Sequence, residues 1–236
     1  MTGREQVLGA IRRGLRRGPL PEDQAAMLAG RIGAHPRHIL PARVRLDRAG
    51  LVRLFLANLE REYASAAPVA DAAAVPAALA TYLAAQNLPG DFAMAPHPAL
   101  LALPWAGHPL LRPRAGRAEA SDLVSLQHGY AGIAETGTLM LPSAPERPTT
   151  LNLLAETEVV VLRASRIVGA YEEAWDLLRA EHRDAVSGGF LPRNVMLVTG
   201  PSRSADIEQS LELGAHGPRR LHVLLIEDDP AARLGG

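Results

Sequence analysis

Apolar residues recur along this chain with two different periods, and the switching between them sets the expected architecture. Val7, Leu8, Ile11 and Leu15 share one face of a helix over residues 3–17, with Arg12, Arg13, Arg16 and Arg17 on or beside the other face. Gly18-Pro19 breaks that helix, Glu22 to Ile32 reads as a second one, and His35 to Pro41 is irregular because its two prolines resist helix. Asp47 caps a helix running to Tyr63, whose inward face is Leu51, Leu54, Phe55, Asn58, Leu59 and Glu62. Short apolar runs then alternate with helices: a strand at residues 67–70, an alanine- and leucine-rich helix capped by Asp71 and ending near Asn87, and a strand at residues 92–95. This alternation argues for an α/β fold with a mostly parallel sheet flanked by helices. The first 62 residues read as a helical arm and extension, and residues 63–236 as the α/β domain.

Residues 96–120 carry Pro96, Pro98, Pro104, Pro109 and Pro113 with His97, Trp105 and His108, a composition that suits an irregular lid or binding loop as well as a surface connection. Strand character returns from Leu123 to Leu141, interrupted by Glu135-Thr136-Gly137-Thr138, and residues 142–148 read as loop. Thr157 to Leu162 is a buried strand of β-branched residues. A helix over residues 170–185 follows, with its core stripe at Tyr171, Ala174, Trp175, Leu177 and Leu178. The last segment reads as a βαβ unit. Asn194 to Thr199 is an apolar strand, Gly200-Pro201 stops it, Ser202-Arg203-Ser204 opens a helix that Gly214 ends, and Leu221 to Ile226 is a parallel neighbouring strand. Ligand crevices of open α/β sheets lie beyond the carboxyl ends of the strands. That rule directs attention to Thr199 to Asp206 and sets the His216-Gly217-Pro218 turn on the opposite rim.

Composition narrows the chemistry. With 236 residues, 47% hydrophobic and 21% charged, the chain has the make-up of one α/β domain with a full core. It has no run near the roughly 20 apolar residues of a membrane helix and no signal-peptide pattern, so the expected location is cytoplasmic. A formal net charge of zero gives no reason to expect nucleic acid. There is no cysteine, which removes thiol nucleophiles, Cys-ligated zinc and cysteine-held iron–sulfur clusters. There is no lysine either, since all 25 basic side chains are arginine, which removes Schiff-base chemistry and the Walker lysine. No metal site and no bound cofactor are expected, and no HExxH, GxSxG or paired-carboxylate motif is present.

The candidate site residues lie in two loops. Glu135 is a single acid among Ile133, Ala134 and Leu139, so it is either a functional carboxylate or one paired with an arginine or loop amides. Thr136, Gly137 and Thr138 follow it in a tight bend. Gly200, Ser202, Arg203, Ser204 and Asp206 form the second group, in which helix amides, hydroxyls and a guanidinium suit an anion. Asp206 and Glu208 offset the helix dipole there, so a small carboxylate or an internal Arg203–carboxylate pair fits better than phosphate.

These two blocks, Ile133-Ala134-Glu135-Thr136-Gly137-Thr138-Leu139 and Thr199 to Glu208 followed by Gly214 to Pro218, carry a resemblance to the lactate-utilisation protein C family, whose unit is the LUD domain. The resemblance implies a three-layer α/β fold related to sugar-phosphate isomerases and CoA-transferases. It also implies a subunit of an L-lactate-oxidising complex, acting beside cysteine-rich iron–sulfur oxidoreductase subunits that hold the clusters. Two alternatives stand beside it. One is an acyl-CoA transferase using Glu135, because related folds place a catalytic glutamate in a Glu-x-Gly setting. The other is a non-catalytic interaction or regulatory protein, suggested by the arginine face of the first helix.

Overall fold

Thr2 and Glu5 exchange hydrogen bonds in a capping box that starts the first helix, α1 (Gly3–Gly14). A second helix, α2 (Glu22–Ala34), ends at His35 in a left-handed conformation. Together they lie in a unit of their own, residues 1–40. The computed structural model describes residues 2–16, 18–37, 39–182, 189, 191–205, 211–214 and 216–232, with the backbone alone at 204–205 and 211–213.

The second unit, residues 41–236, opens with α3 (Arg48–Arg61), capped by the Asp47 carboxylate accepting from Gly50 N at 2.7 Å. There follow β1 (Ser65–Val69), α4 (Val75–Ala85), β2 (Asp91–Met94), the single turn α5 (Pro98–Leu101), β3 (Arg112–Ala115), β4 (Val124–His128), β5 (Ala131–Ile133) and β6 (Thr138–Pro142). The chain continues through β7 (Thr157–Arg163), β8 (Ile167–Val168), α6 (Tyr171–Glu181), β9 (Val195–Thr199), β10 (Arg203–Ala205), β11 (Leu211–Leu213) and β12 (Arg220–Ile226). The proline-rich tract of residues 96–120 thus holds α5 and the edge strand β3, where Pro113 is tolerated because an edge strand has backbone positions without ladder partners.

Six strands form a parallel sheet in the order β1-β12-β7-β4-β2-β3. Its central strands read as unbroken apolar runs because both faces are covered. On one face, Val75, Leu79 and Leu83 of α4 and Leu100 of α5 pack on Leu126, Val159, Val161 and Leu224. On the other, Leu51, Phe55 and Leu59 of α3, with Leu139 and Leu141 of β6, pack on Val160, Leu162, Val223 and Leu225. A second sheet, β8-β5-β6-β9, supplies β6 to that face, and Ala174 and Leu178 of α6 cover its back through Ile133 and Met140. The fold is α/β with a parallel sheet flanked by helices. Because α3 is built into this core, the compact unit begins at Pro41 and not after residue 62.

The C-terminal βαβ unit is not formed. β9 pairs antiparallel with β6 in the second sheet, while β12 pairs parallel with β1 and β7 in the first. Between them β10 and β11 pair antiparallel with each other where the sequence pattern predicts a helix, and residues 206–210 lie outside the described residues. The reason is that each strand finds a partner far away in sequence. β9 is half-buried on a sheet edge and β12 is buried in a sheet centre, yet both are apolar runs of similar length.

Candidate functional site

Both signature blocks dock on the same helix. The carboxamide of Asn58, buried on α3, donates to the carbonyls of Ala134 (2.8 Å) and Glu135 (3.0 Å). Gly137 has φ +66, and a Cβ there would fall on the backbone of Asn58 and Leu59. Gly200 has φ +69, and a Cβ there would fall on the carbonyl oxygen of Glu62, just past the helix end. Glycine is required at both points for the same two reasons, a left-handed backbone and a close approach. Glu135 accepts from Arg43 Nη2 at 2.6 Å, and Arg203 Nη2 donates to Glu62 at 2.7 Å with its guanidinium 5.2 Å from the Tyr63 ring centroid. The Arg203 hydrogen bond holds the Glu62 carboxyl below its usual value. Thr136 and Thr138 join Thr199 and the Tyr171 hydroxyl in one cluster, with oxygen separations of 2.6 to 3.1 Å.

The structure therefore gathers Thr136, Thr138 and Thr199, and it sets Glu135, Gly137, Gly200 and Arg203 against α3 or the segments flanking it. Ser202 and the His216 turn lie together: Ser202 N donates to Pro218 O (2.8 Å), and His216 N approaches Ser202 Oγ (3.4 Å). Arg219 N donates to Glu156 O just before β7, so both loops stand at the amino end of the parallel strands. The expected placement of Thr199–Ser204 at the carboxyl end is corrected, because β9 does not belong to the parallel sheet. The anion site also loses the helix amides invoked for it, since β10 occupies residues 203–205. Ser204 has only its backbone described, and Asp206 lies outside the described residues.

The carboxyl end carries a different set of residues. His128 is the last residue of β4 and Arg163 the last of β7, while His97 follows β2 by three residues. With Tyr130, Arg147 and Arg166 they line a cavity of about 400 Å³. The two imidazoles stack with ring centroids 3.7 Å apart and planes within 7°. His97 Nδ1 accepts from Ala99 N at 3.2 Å, which leaves the proton of the neutral ring on Nε2. Burial, then the charge of Arg147, pushes the His97 pKa down. For His128, burial first and the His97, Arg147, Arg163 and Arg166 charges after it push the value down to about 3. Both rings are neutral near pH 7.

Arg147 reaches the cavity from the turn Ala144-Pro145-Glu146-Arg147, closed by reciprocal backbone hydrogen bonds between Ala144 and Arg147. Its side chain is 7% exposed, donates from Nε to Pro142 O at 3.2 Å, and has Glu146 at 3.7 Å. The other two guanidiniums are more firmly held. Arg166 forms two hydrogen bonds with Glu181 (2.6 and 3.0 Å), and Arg163 pairs with Asp228 at 3.3 Å. Arg166 also lies 4.6 Å from the Tyr130 ring centroid. Arg147 is thus the cation with the loosest carboxylate partner, beside two neutral imidazoles. Such a set can take a carboxylate on the guanidinium and a neighbouring hydroxyl or keto oxygen on the imidazoles.

No local pattern in the sequence connects these residues, because they come from four separate segments. One signal is available: His128 closes an apolar run at a strand's carboxyl end, where such sheets place their sites. No group of three or more His, Cys, Asp or Glu residues suited to a metal occurs among the described residues. No helix among them is long and apolar enough to cross a membrane.

Residues 118–226 match the family model described as the LUD domain. An uncharacterized protein, NMB1437, of Neisseria meningitidis is 43% identical over 98 residues, 42% of this chain and 40% of its own length. The uncharacterized protein YkgG of Escherichia coli is 35% identical over 105 residues, 44% of each chain. Lactate utilization protein C of Bacillus subtilis is 34% identical over 96 residues, 41% of this chain and 39% of its own length. The chain spans about two fifths of the length of these curated relatives. Among solved structures, a DUF162 family protein of Deinococcus radiodurans superposes with a TM-score of 0.54 at 22% identity, covering 77% of this chain and 99% of that one, which shows a shared fold.

Proposed function

We propose, from the match of residues 118–226 to the LUD domain model, that this chain serves lactate utilisation by binding a small 2-hydroxy or 2-oxo carboxylate at the carboxyl end of its parallel sheet. The observation that carries the reading is Arg147, almost wholly buried and loosely paired beside the neutral His97 and His128. The similarity to proteins named for lactate utilization supports the substrate class. Arg147 holds the carboxylate with charge-assisted hydrogen bonds. The imidazoles hold the 2-oxygen and orient the carbon that is oxidised in lactate and carbonyl in pyruvate. A bound carboxylate also offsets the arginine charges that bear on His128, so ligand binding raises the proton affinity of that ring.

Oxidation of lactate releases two electrons and two protons. The chain has no cysteine, so cysteine-held iron–sulfur clusters that accept these electrons belong to partner subunits of a cytoplasmic complex. Glu135 is engaged by Arg43, and no observation favours it as a CoA-transfer nucleophile.

The test is calorimetric titration of the purified chain with L-lactate and with pyruvate, paired with growth on L-lactate of a strain lacking the chain. Arg147→Ala is expected to weaken binding about 10- to 100-fold, the worth of a lost charge-assisted pair, and to fail to restore growth. Undiminished growth of the deletion strain would sink the lactate role. Unchanged affinity in the Arg147→Ala protein would remove the site.

A further inference from the structure

The amino end of the same sheet holds a second cavity, of about 430 Å³, separate from the carboxylate site. Asn152, Glu158, Met196, Ser202, His216 and Leu221 are among its lining residues. Glu158 is completely buried on β7, the strand between β12 and β4. It points to the same side as Val160 and Leu162, into the space between the two sheets. One carboxyl oxygen, Oε1, accepts from Asn152 Nδ2 at 3.0 Å. The other, Oε2, is buried and has no hydrogen-bond partner among the described residues, and Glu158 is one of the residues that line the cavity.

The direction of every bond leading to Glu158 follows from one backbone group. His128 N–H is a donor only, so the Gln127 side-chain atom it meets at 3.1 Å is the oxygen. Gln127 Nε2 then donates to Asn152 Oδ1 at 3.0 Å, which turns Asn152 Nδ2 towards Glu158. Oε1 is therefore an acceptor, and a proton on this carboxyl resides on Oε2. Burial pushes the pKa of Glu158 up to about 8, with no neighbouring charge among the causes. An unsatisfied buried donor is costly, so a donor on a residue that lines a cavity calls for an acceptor.

We propose that this cavity is a second ligand site, in which the Glu158 carboxyl donates a hydrogen bond from Oε2 to the carbonyl or amide oxygen of an uncharged small organic molecule. An uncharged ligand is indicated because the guanidinium in the lining, Arg203, is already paired with Glu62. Met196, Val198 and Leu221 supply apolar parts of the wall. The cavity is within the range of small-molecule sites and larger than a lone water needs. The neutral site and the carboxylate site share no ligand-binding side chain, so either can fail alone.

The experiment is ligand-observed NMR on the full chain with acetamide, N-methylacetamide and nicotinamide as uncharged probes, and nicotinate as the charged control. The wild-type protein should bind at least one carboxamide and prefer nicotinamide to nicotinate. Glu158→Gln keeps a donor at the Oε2 position and should bind within about twofold; Glu158→Leu removes it and should lose about tenfold or more. Met196→Trp fills the cavity from another side and should also abolish binding, which covers the case of a poorly folded leucine variant. Raising the pH through 8 should weaken binding by the wild type but not by Glu158→Gln, which retains Arg203 and His216, the other ionisable groups in the lining among the described residues. Absence of binding by every carboxamide, equal binding by Glu158→Leu, or loss in Glu158→Gln to the level of the leucine variant would each overturn the proposal.

Discussion

The two ends of the parallel sheet bury polar groups by opposite means. At the carboxyl end, guanidiniums are kept charged by carboxylates and carbonyl oxygens, and the imidazoles among them are forced neutral. At the amino end, an acid is kept neutral by burial alone, within a chain of amide hydrogen bonds. The first arrangement leaves positive potential for an anion; the second leaves a single directed donor. One hydrogen-bond chain joins them: the ring of His128 lines the first cavity, and its backbone N–H starts the chain through Gln127 and Asn152 to Glu158. Charged and neutral polar groups are thus set at opposite ends of the sheet, and Gly137 and Gly200 have a separate task. They seat the amino-end loop and the β5–β6 bend on α3.

The largest effect is expected where that seating is broken. Gly200→Ala places a Cβ against the Glu62 carbonyl at positive φ, and should cost about 3 kcal/mol of folding stability in urea denaturation. A variant as stable as the wild type would mean that the loop is not docked as described.

The next effect is in the pH dependence of stability, where the buried acid and the buried histidines pull in opposite directions. Glu158 keeps its proton up to about pH 8, whereas an unfolded glutamate loses it near 4.5. Its contribution is complete below 4.5, declines as pH rises, and is gone above about 8. His128 stays neutral down to about 3, and His222, buried against Tyr82, down to about 4, against 6.5 for each when unfolded. Their contributions are complete above 6.5 and are lost as pH falls. Between pH 4.5 and 6.5 two histidines outweigh one glutamate, so stability should peak near pH 6.5. Glu158→Gln should flatten the alkaline limb and be more stable than the wild type at pH 9 by upwards of about 1.4 kcal/mol, the free energy of a tenfold change in proton affinity. Parallel alkaline limbs in the two proteins would show that Glu158 is already ionised at neutral pH.

The smallest effect is expected from Arg203→Ala. Its pair with Glu62 is partly solvated, so the melting temperature should move by no more than about 2 °C. Carboxylate binding at the other end should be unchanged in calorimetry, because Arg203 does not line that cavity. Weakened L-lactate binding in this variant would return the site to the Gly200–Arg203 loop and erase the distinction between the ends.

Local pattern and chemistry reach a good part of this molecule. The helix at Arg48–Arg61 with its Asp47 cap, the buried strand Thr157–Arg163 and the helix beginning at Tyr171 are all readable from periodicity, because burial of one face imposes its period on the residues. Glu135 reads as a carboxylate in need of a partner, and Arg43 is that partner. Glu158 sits inside an apolar run in the same way, and the rule that draws attention to Glu135 applies to it equally.

The sequence by itself determined the α/β class, the absence of cysteine and lysine chemistry, and the two glycine-bearing blocks at residues 135–138 and 199–204. Only the tertiary structure decided what those blocks do and where the polar cavities lie. Strand pairing is non-local: Val195–Thr199 and Arg220–Ile226 look alike along the chain, yet one joins an antiparallel edge and the other a parallel centre. Since a loop's rim follows from the sheet its strand joins, the pairing of β9 with β6 carries the Gly200–Arg203 loop from the carboxyl end to the amino end. It leaves the carboxyl end to His97, His128 and Arg147, which non-local strand pairing brings together and no local pattern connects.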